Sequence, residues 1–367
     1  MHDRRKLWLG LCSFLLLAAL GAGCNGFFTD ENGDGGDGTV QPRFVYTANS
    51  GSDNVSGFTV DTSTGSLTAA TGSPFGAGVS PNSVGADADG TFLYAANQGG
   101  GVSGYVINRS NGGLAQAAGS PFASAFDFVA VAVDPAARFV YAAQDGVAAV
   151  FGFSVTASTG VLNAVPGSPV ALSGTPVRLS VDPAGRFVFV ALGADGTDVF
   201  RINSDGSLTF VENELPTVGR EAREVIVEPR GSFAYVADGV GGVAAYSVNA
   251  STGALTVISG SPFAAGSEPV GLAVDPDGDF LYVANRGSNT VSVFSIGSNG
   301  ALTAGTPVGA GSNPVSLAVD PSGRFLYVAN EGSDNISLYT INATSGALSS
   351  AGTASAGTSP ESIVVTP

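Results

Sequence analysis

One sequence unit repeats seven times along the chain, and this repeat constrains the fold more than any other feature. The spacing between successive copies is 45 to 48 residues when they are aligned on Phe44, Phe92, Phe139, Phe187, Phe233, Phe280 and Phe325. Each copy contains four short runs rich in Val, Phe and Tyr, separated by Asp-Pro, Gly and Asn, which are strand and turn signals. The pattern predicts an all-β, seven-bladed β-propeller with four antiparallel strands in each blade.

The two ends of the repeat array predict how the ring closes. The array begins at Arg43 in a second strand that has no first strand before it, and it ends on 361–367, a first strand with nothing after it. We expect this C-terminal strand to pair with the N-terminal blade, because the pairing covers both free edges.

The turn sequences predict on which face of the propeller each loop lies. The innermost strand is followed by Asp-Pro-x-Gly at 182–185, 275–278 and 320–323. Asp caps such a turn, Pro fixes φ and Gly takes the strained last position, so we interpret these aspartates as structural. These turns define a bottom face, and the loops that lead into the innermost strands define a top face. A ligand site built from loops should lie at the top mouth of the central channel.

Residues 1–24 have the pattern of a lipoprotein-type signal peptide. Basic residues 4–6 precede the apolar run 7–22, which is too short for a bilayer span, and small residues lead to Cys24, the predicted lipidation site. Secretion after cleavage near Ala22 or Gly23 is the alternative. Residues 25–41 are predicted to be a flexible Asp/Gly-rich tether, and 42–367 the propeller.

The composition and net charge limit the classes of partner that the protein can bind. Removal of residues 1–23 leaves 11 basic and 29 acidic residues, a net charge of −18. Such a charge argues against nucleic acid and leaves the lipid on Cys24 as the predicted membrane contact. Asp30, Asn32 and Asp34 mimic the opening of a calcium loop, but Gln41 stands where the bidentate Glu is needed, so we favour a spacer. No cofactor or metal is predicted, and we expect a monomer in the bacterial cell envelope, periplasmic or on the outer surface.

Three motifs carry a resemblance to a known family. They are Pro-Ala-Gly-Arg-Phe-Val-Phe-Val at 183–190, Leu-Gly-Ala-Asp at 192–195 and Asp-Val-Phe-Arg-Ile-Asn at 198–203. In these motifs the segment 175–256 resembles the lactonase-type seven-bladed propellers, which include bacterial 6-phosphogluconolactonase and fungal carboxymuconate cyclase. The motif Asp-Pro-x-Gly-Arg-Phe-Leu-Tyr-Val-Ala-Asn is similar to YVTN-type repeats. The resemblance implies the same fold over 42–367 and a channel mouth that carries histidines, an arginine and a glutamate.

The chain departs from the family pattern at that mouth. The family's Gly-Pro-Arg-His stretch corresponds to Arg-Glu-Ala-Arg-Glu at 220–224, so Arg223 falls where the family has its arginine and Glu224 falls where it has histidine. The single histidine, His2, lies in the leader. A histidine general acid or base is therefore excluded in the mature chain.

The densest charge cluster of the repeat array lies at the same place. Arg178, Arg220 and Arg223 lie at neighbouring approaches to the channel, with Glu221 and Glu224 between them. Arginines bind carboxylate or phosphate bidentately, and a buried glutamate could serve as a base. The three arginines are thus candidate ligand-binding residues, and the two glutamates candidate catalytic residues. An ion-pair network that satisfies itself is the alternative interpretation.

Other polar residues on the predicted top face give weaker signals. Asp127, between Phe126 and Phe128, is a further candidate for ligand binding, beside an aromatic wall of the mouth or in simple packing. Arg286 and Glu331 follow two second strands, and we expect them to be solvated.

Two functions from different classes follow from these observations. The first is an exported, lipid-anchored, lactonase-like propeller that acts as a binding or interaction module through its top face, with an envelope protein or a small acidic ligand or lactone as partner. The second is a lactone-ring hydrolase, similar to 6-phosphogluconolactonase, with an altered, histidine-free site. A spacer or surface-layer role without a ligand is a third possibility.

Overall fold

The computed structural model describes residues 43–214 and 221–367, which form seven β-sheets arranged as the blades of a closed ring. Each innermost strand contacts that of the next blade, and the contact between the seventh and the first completes the circle. The predicted seven-bladed propeller is confirmed. Residues 1–42, with Cys24 and the tether, and 215–220, with Arg220, lie outside the described residues. No helix in the described part is long and apolar enough to cross a membrane.

Each blade has an inner, second, third and outer strand, counted from the channel outward. In blades 1 to 7 the inner strands are Pro360–Thr366, Val79–Ala86, Phe128–Val133, Arg178–Val181, Ala222–Val227, Pro269–Val274 and Pro314–Val319. The second strands are Arg43–Asn49, Phe92–Gly99, Phe139–Gln144, Phe187–Ala191, Phe233–Asp238, Phe280–Asn285 and Phe325–Asn330. The third strands are Asn54–Val60, Val102–Ile107, Ala149–Val155, Thr197–Ile202, Gly242–Val248, Thr290–Ile296 and Asn335–Ile341.

The outer strands vary most between blades. They are Leu67–Ala69 with Phe75–Gly76, Leu114–Gln116, Leu162–Ala164 with Val170–Ala171, Leu208–Glu214, Leu255–Val257 with Phe263–Ala264, Leu302–Ala304 with Val308–Gly309, and Leu348–Ser355. A Ser-Pro step lies in four of these edges, and its serine accepts a backbone N–H of the third strand, as Ser73 does from Gly57 at 2.9 Å. The serine thus replaces part of the strand pairing that the turn interrupts. A short 3₁₀ helix, Glu331–Ser333, follows the second strand of blade 7.

The C-terminal strand closes the ring as predicted. It pairs antiparallel with Arg43–Asn49 along nearly its whole length. The Tyr327 hydroxyl of blade 7 also donates a 2.9 Å hydrogen bond to the Gly65 carbonyl of blade 1. The edges of the first and last segments are therefore paired within the fold.

The tyrosine of the second strand joins most blades to the next. In six blades its hydroxyl donates to a glycine carbonyl in a bottom-face turn of the following blade; besides Tyr327–Gly65, the pairs are Tyr46–Gly112, Tyr94–Gly160, Tyr141–Gly206, Tyr235–Gly300 and Tyr282–Gly346. Blade 4 has Phe189 at this position and lacks the hydroxyl. There, Arg186 and Arg201 donate to carbonyls of the facing turn of blade 5.

The hydrophobic core lies between the blades. Seven apolar clusters fill the seven junctions, and each combines second-strand and third-strand side chains of neighbouring sheets. The Asp-Pro-x-Gly turns hold the bottom face, because the Asp182 carboxylate accepts the Phe187 N–H at 2.7 Å and Asp275 and Asp320 make the same bond. These aspartates are structural, as predicted, and the packed junctions leave the channel mouth to the top-face loops.

Candidate functional site

A β-bulge occurs near the top end of the inner strand in six blades. The bulged residues of blades 1, 2, 3, 5, 6 and 7 are Glu361, Asn82, Val129, Arg223, Val270 and Val315. A bulge inserts one unpaired residue and redirects its side chain. All of them except Asn82 line a cavity of about 210 Å³ at the channel mouth, together with Val177, Arg178, Arg286 and Glu331. The fold thus gathers one side chain from each of several blades at a single site.

Two ion pairs contribute arginines to the lining of this mouth. Arg223 pairs with Glu221, two residues before it on blade 5. Arg286 of blade 6 pairs with Glu331 of blade 7 at 2.8 Å. Both pairs keep substantial exposure to solvent, with 42% of the Arg223 side chain and 44% of the Arg286 side chain accessible. Such pairs contribute little to stability, about 0–1 kcal/mol, and their guanidinium groups remain open to a ligand.

Arg178 differs from these arginines because its hydrogen-bond partners are carbonyls. It reaches across the channel from blade 4, and its guanidinium donates to Val129 O at 3.3 Å and to Glu361 O at 3.2 Å. Within 43–214 and 221–367 it forms no ion pair. A guanidinium has five N–H donors, so two long bonds to carbonyls leave donor capacity that faces the cavity.

Glu224 lies one position deeper than Arg223, on the ring of residues that bond to the neighbouring blade. Its Oε2 accepts the Leu272 N–H at 2.5 Å. The same type of inter-blade bond is made at 3.2 Å by the serine hydroxyls of Ser83, Ser316 and Ser362. Glu224 therefore occupies a structural position with an ionisable group.

The surroundings of Glu224 oppose its ionisation. Burial raises the pKa of this carboxyl to about 7, and the nearby Arg178 charge and the Leu272 N–H limit the rise. Some of its surface still faces the channel. A carboxyl with a pKa near neutrality can accept or release a proton at physiological pH.

Glu361, from the C-terminal strand, is the second carboxyl of the mouth with a perturbed pKa. Burial raises this pKa, the Glu331 charge raises it further, and Arg178 is the largest opposing influence. Its Oε1 also accepts the Ser50 hydroxyl at 3.2 Å. The raised pKa means that this carboxyl binds a proton more readily than an exposed glutamate does.

A second cavity of about 360 Å³ adjoins the mouth cavity between blades 5 and 6. Arg223, Val270 and Arg286 line both, whereas Glu221 and Glu268 line the second one only. The mouth therefore has an arginine-rich part above the channel and a more acidic part beside it. No group of three or more His, Cys, Asp or Glu side chains within the described ranges could hold a metal ion.

The structure brings together most of the residues predicted for the site. Arg178 and Arg223 line the mouth cavity, Glu221 lines the adjoining one, and Glu224 lies below them. Arg220 belongs to the segment outside the described residues. Asp127 lines neither cavity; it is exposed, and its carbonyl accepts the Asp145 N–H at 2.9 Å.

Three residues of the mouth were missed as site residues by sequence reasoning: Arg286, Glu331 and Glu361. Arg286 and Glu331 were expected to be solvated, but they form an ion pair with each other and line the cavity. Both follow the last asparagine of a second strand, a position that the topology places on the top face. That position, and the start of the C-terminal strand for Glu361, are the signals that could have identified them.

The ring of seven four-stranded blades and the charged top mouth define a seven-bladed propeller with a small polar pocket on its axis. The chain belongs to the family described as Lactonase, 7-bladed beta-propeller, whose model matches residues 37–126 and 178–365. The stretch 127–177, which contains most of blade 3, falls outside the match.

Solved structures of similar fold come from several bacteria. A putative 6-phosphogluconolactonase from Bacteroides uniformis superimposes with a TM-score of 0.76 at 21% identity, covering 89% of this chain and 99% of that one. A periplasmic gluconolactonase from Pseudomonas aeruginosa gives 0.72 at 22% identity, covering 89% and 99%. A protein from Lactobacillus plantarum gives 0.73 at 24% identity, covering 89% and 100%. These likenesses show the fold. No curated protein matches the sequence.

Proposed function

We propose that this protein is an exported, lipid-anchored propeller that binds a small organic acid, or the lactone of such an acid, at the mouth of its channel. The observation that carries the proposal is Arg178, a cation that lines the mouth cavity and whose guanidinium, among the described residues, donates hydrogen bonds only to carbonyls. Carboxylates are the natural ligands of such a guanidinium, because they accept two parallel N–H bonds.

The neighbours of Arg178 favour a ligand that is both acidic and hydroxylated. Arg223 and Arg286 add positive charge on one wall, while Glu361 and Glu331 offer acceptors for hydroxyl groups. The two adjoining cavities, of about 210 and 360 Å³, suit a compact molecule. A sugar acid of the size of gluconate combines these properties.

Calorimetric titration of the purified mature protein with D-gluconate tests the proposal. We expect saturable binding that Arg178→Gln weakens at least about tenfold, because a charged hydrogen bond contributes roughly 1.5–3 kcal/mol. Arg324→Gln is the matched control, since the guanidinium of this arginine also donates only to carbonyls, those of Thr62 and Ser63, on the bottom face. Equal affinities for the wild type and Arg178→Gln, or no binding of gluconate or its lactone, would contradict the proposal.

Lactone hydrolysis is a second candidate, and the observation that favours it is the pKa of Glu224. A carboxyl with a pKa of about 7 beside the Arg178 charge is suited to act as a general base. It would take a proton from water as the water oxygen attacks the lactone carbonyl, and it would return this proton to the ring oxygen as the ring C–O bond breaks, which gives a hydroxy acid. Glu221 is less suited to this role because it is paired with Arg223.

A panel of purified lactones separates the two candidates. Turnover by the wild type that disappears in Glu224→Gln and in Arg223→Ala would establish the hydrolase. Turnover that survives both changes would show that Glu224 is not the base, and no turnover on any lactone would count against the hydrolase and leave acid binding as the function under test.

A further inference from the structure

A second surface on the top face, away from the channel mouth, has the properties of a protein-binding site. Six large hydrophobic side chains are exposed within the described ranges, and three of them lie on the top of blades 2 and 3: Val79 at 61%, Phe126 at 39% and Val147 at 47%. Clustered apolar exposure is uncommon on a soluble protein and marks binding surfaces more often than isolated exposure does.

A series of hydrogen bonds links the sequence neighbours of these three residues across the junction between blades 2 and 3. Ser80, next to Val79, donates to the Gln98 amide oxygen at 3.3 Å, and Gln98 donates across the blade junction to the Asp145 carboxylate at 3.3 Å. Asp145 N–H then donates to the Asp127 carbonyl at 2.9 Å. Phe126 precedes Asp127 and Val147 follows Asp145 by two residues. We call this surface the blade 2–3 strip; it consists of Val79, Gln98, Phe126, Asp127, Asp145 and Val147.

Phe126 is held in place although it is exposed. Its ring lies 4.8 Å from the ring of Phe151, which is buried in the junction between blades 2 and 3. An aromatic side chain that is already ordered loses little conformational entropy when a partner covers it. Such residues are frequent anchors of protein interfaces.

The charge of the strip indicates the chemistry of the partner. It carries Asp127 and Asp145 and no Lys or Arg, and the chain as a whole has a net charge of −16. A second copy of the protein would meet like charge, and an anionic lipid surface would be repelled. Three of its six residues, Asp127, Asp145 and Val147, lie in the stretch 127–177 that the family model does not match.

We propose that the blade 2–3 strip binds a basic segment of another protein, in which Lys or Arg side chains flank an aromatic or aliphatic residue. The apolar residue would cover Phe126 and Val147, and the cations would pair with Asp127 and Asp145. This inference is independent of ligand binding at the channel mouth, because none of the six residues lines either mouth cavity.

A tryptophan-containing peptide provides a direct test. The single tryptophan of the chain, Trp8, is in the leader, so the mature protein is silent when peptide tryptophan is excited. The probe is a peptide of about 12 residues with alternating Lys and Leu and one central Trp, and the control peptide has Glu in place of Lys. We expect the basic peptide alone to bind, with affinity that falls as salt rises.

Matched variants localise the binding. Phe126→Ala should weaken it about tenfold, the effect expected for an interface anchor, and Asp127→Asn should weaken it severalfold. Val147→Ser provides a second apolar variant if Phe126→Ala lowers the thermal midpoint. Phe210→Ala and Asp89→Asn are controls, since Phe210 is 51% exposed on the outer strand of blade 4 and Asp89 is exposed in a bottom turn.

Several results would overturn the proposal. They are equal binding of the acidic peptide, no binding of the basic one, or equal losses in Phe126→Ala and Phe210→Ala. Self-association that Phe126→Ala abolishes would make a second copy the occupant, and cosedimentation with phosphatidylcholine vesicles that depends on Phe126 would make it a membrane.

Discussion

Glu224→Gln should remove a pH dependence of stability that the wild-type propeller has. In the folded protein burial raises the pKa of Glu224 from 4.5 to about 7. The folded state therefore retains a proton on this group, between pH 4.5 and 7, that the unfolded state releases. Because the folded state binds more protons in that window, wild-type stability falls as the pH rises. Glutamine can still accept the Leu272 N–H through its amide oxygen, but it does not titrate.

The size of the pH effect on stability follows from the pKa shift of Glu224. Each pKa unit corresponds to about 1.4 kcal/mol, so the full shift amounts to about 3 kcal/mol. Part of the Glu224 surface faces the channel, where water solvates the charge, and this reduces the expected figure to roughly 1–3 kcal/mol. The stabilisation that comes from the proton on folded-state Glu224 is fully present below pH 4.5 and fully lost above the folded pKa of about 7.

Urea unfolding at about pH 4.5 and about pH 8 measures this difference. The free energy of unfolding of Glu224→Gln minus that of the wild type should rise by roughly 1–3 kcal/mol between the two pH values. Other buried carboxyls contribute equally to both proteins and cancel. Glu221→Gln removes the same charge from an exposed ion pair, so it should change stability by less than about 1 kcal/mol. Parallel pH profiles for the wild type and Glu224→Gln would refute the reasoning.

Three further predictions concern the contacts between blades and the closure of the ring. Tyr327→Phe, which removes the bond to Gly65, should lower the free energy of unfolding by about 1 kcal/mol, measured by urea titration; no change would mean that this contact contributes nothing. Phe189→Tyr should stabilise the protein by a similar amount, because it adds the hydroxyl that the other six blades have; a loss of stability would show that the junction cannot accommodate it. Deletion of 360–367 should abolish cooperative unfolding monitored by circular dichroism, and a sharp transition would contradict closure by that strand.

The fold could be predicted from the sequence because its determinants recur in most copies. The turn aspartates, such as Asp275, and the second-strand tyrosines, such as Tyr282, make the same contacts from blade to blade. Their spacing alone therefore gives the number of blades and the place where the chain closes. The outer strands were less predictable, because in four blades a short second piece replaces a continuous edge.

The site was only partly predictable, because its contacts join residues that the repeat treats as equivalent. Arg286 and Glu331 stand 45 residues apart in corresponding loops, and nothing in one copy shows that they pair across the junction. The bulge that places Arg223 and Glu361 at the mouth is a property of strand register rather than of composition. Arg178 and Arg223 were predicted because they belong to the densest charge cluster of the repeat array, and Arg223 also falls where the family has its arginine.

The most direct test of ligand binding at the mouth is a crystal structure of the mature protein grown with D-gluconate. We expect a gluconate carboxylate about 3 Å from the guanidinium of Arg178, with its hydroxyl groups directed at Glu361 and the wall formed by Arg223 and Arg286. Gluconate bound elsewhere on the protein, with Arg178 still donating only to the carbonyls of Val129 and Glu361, would contradict it.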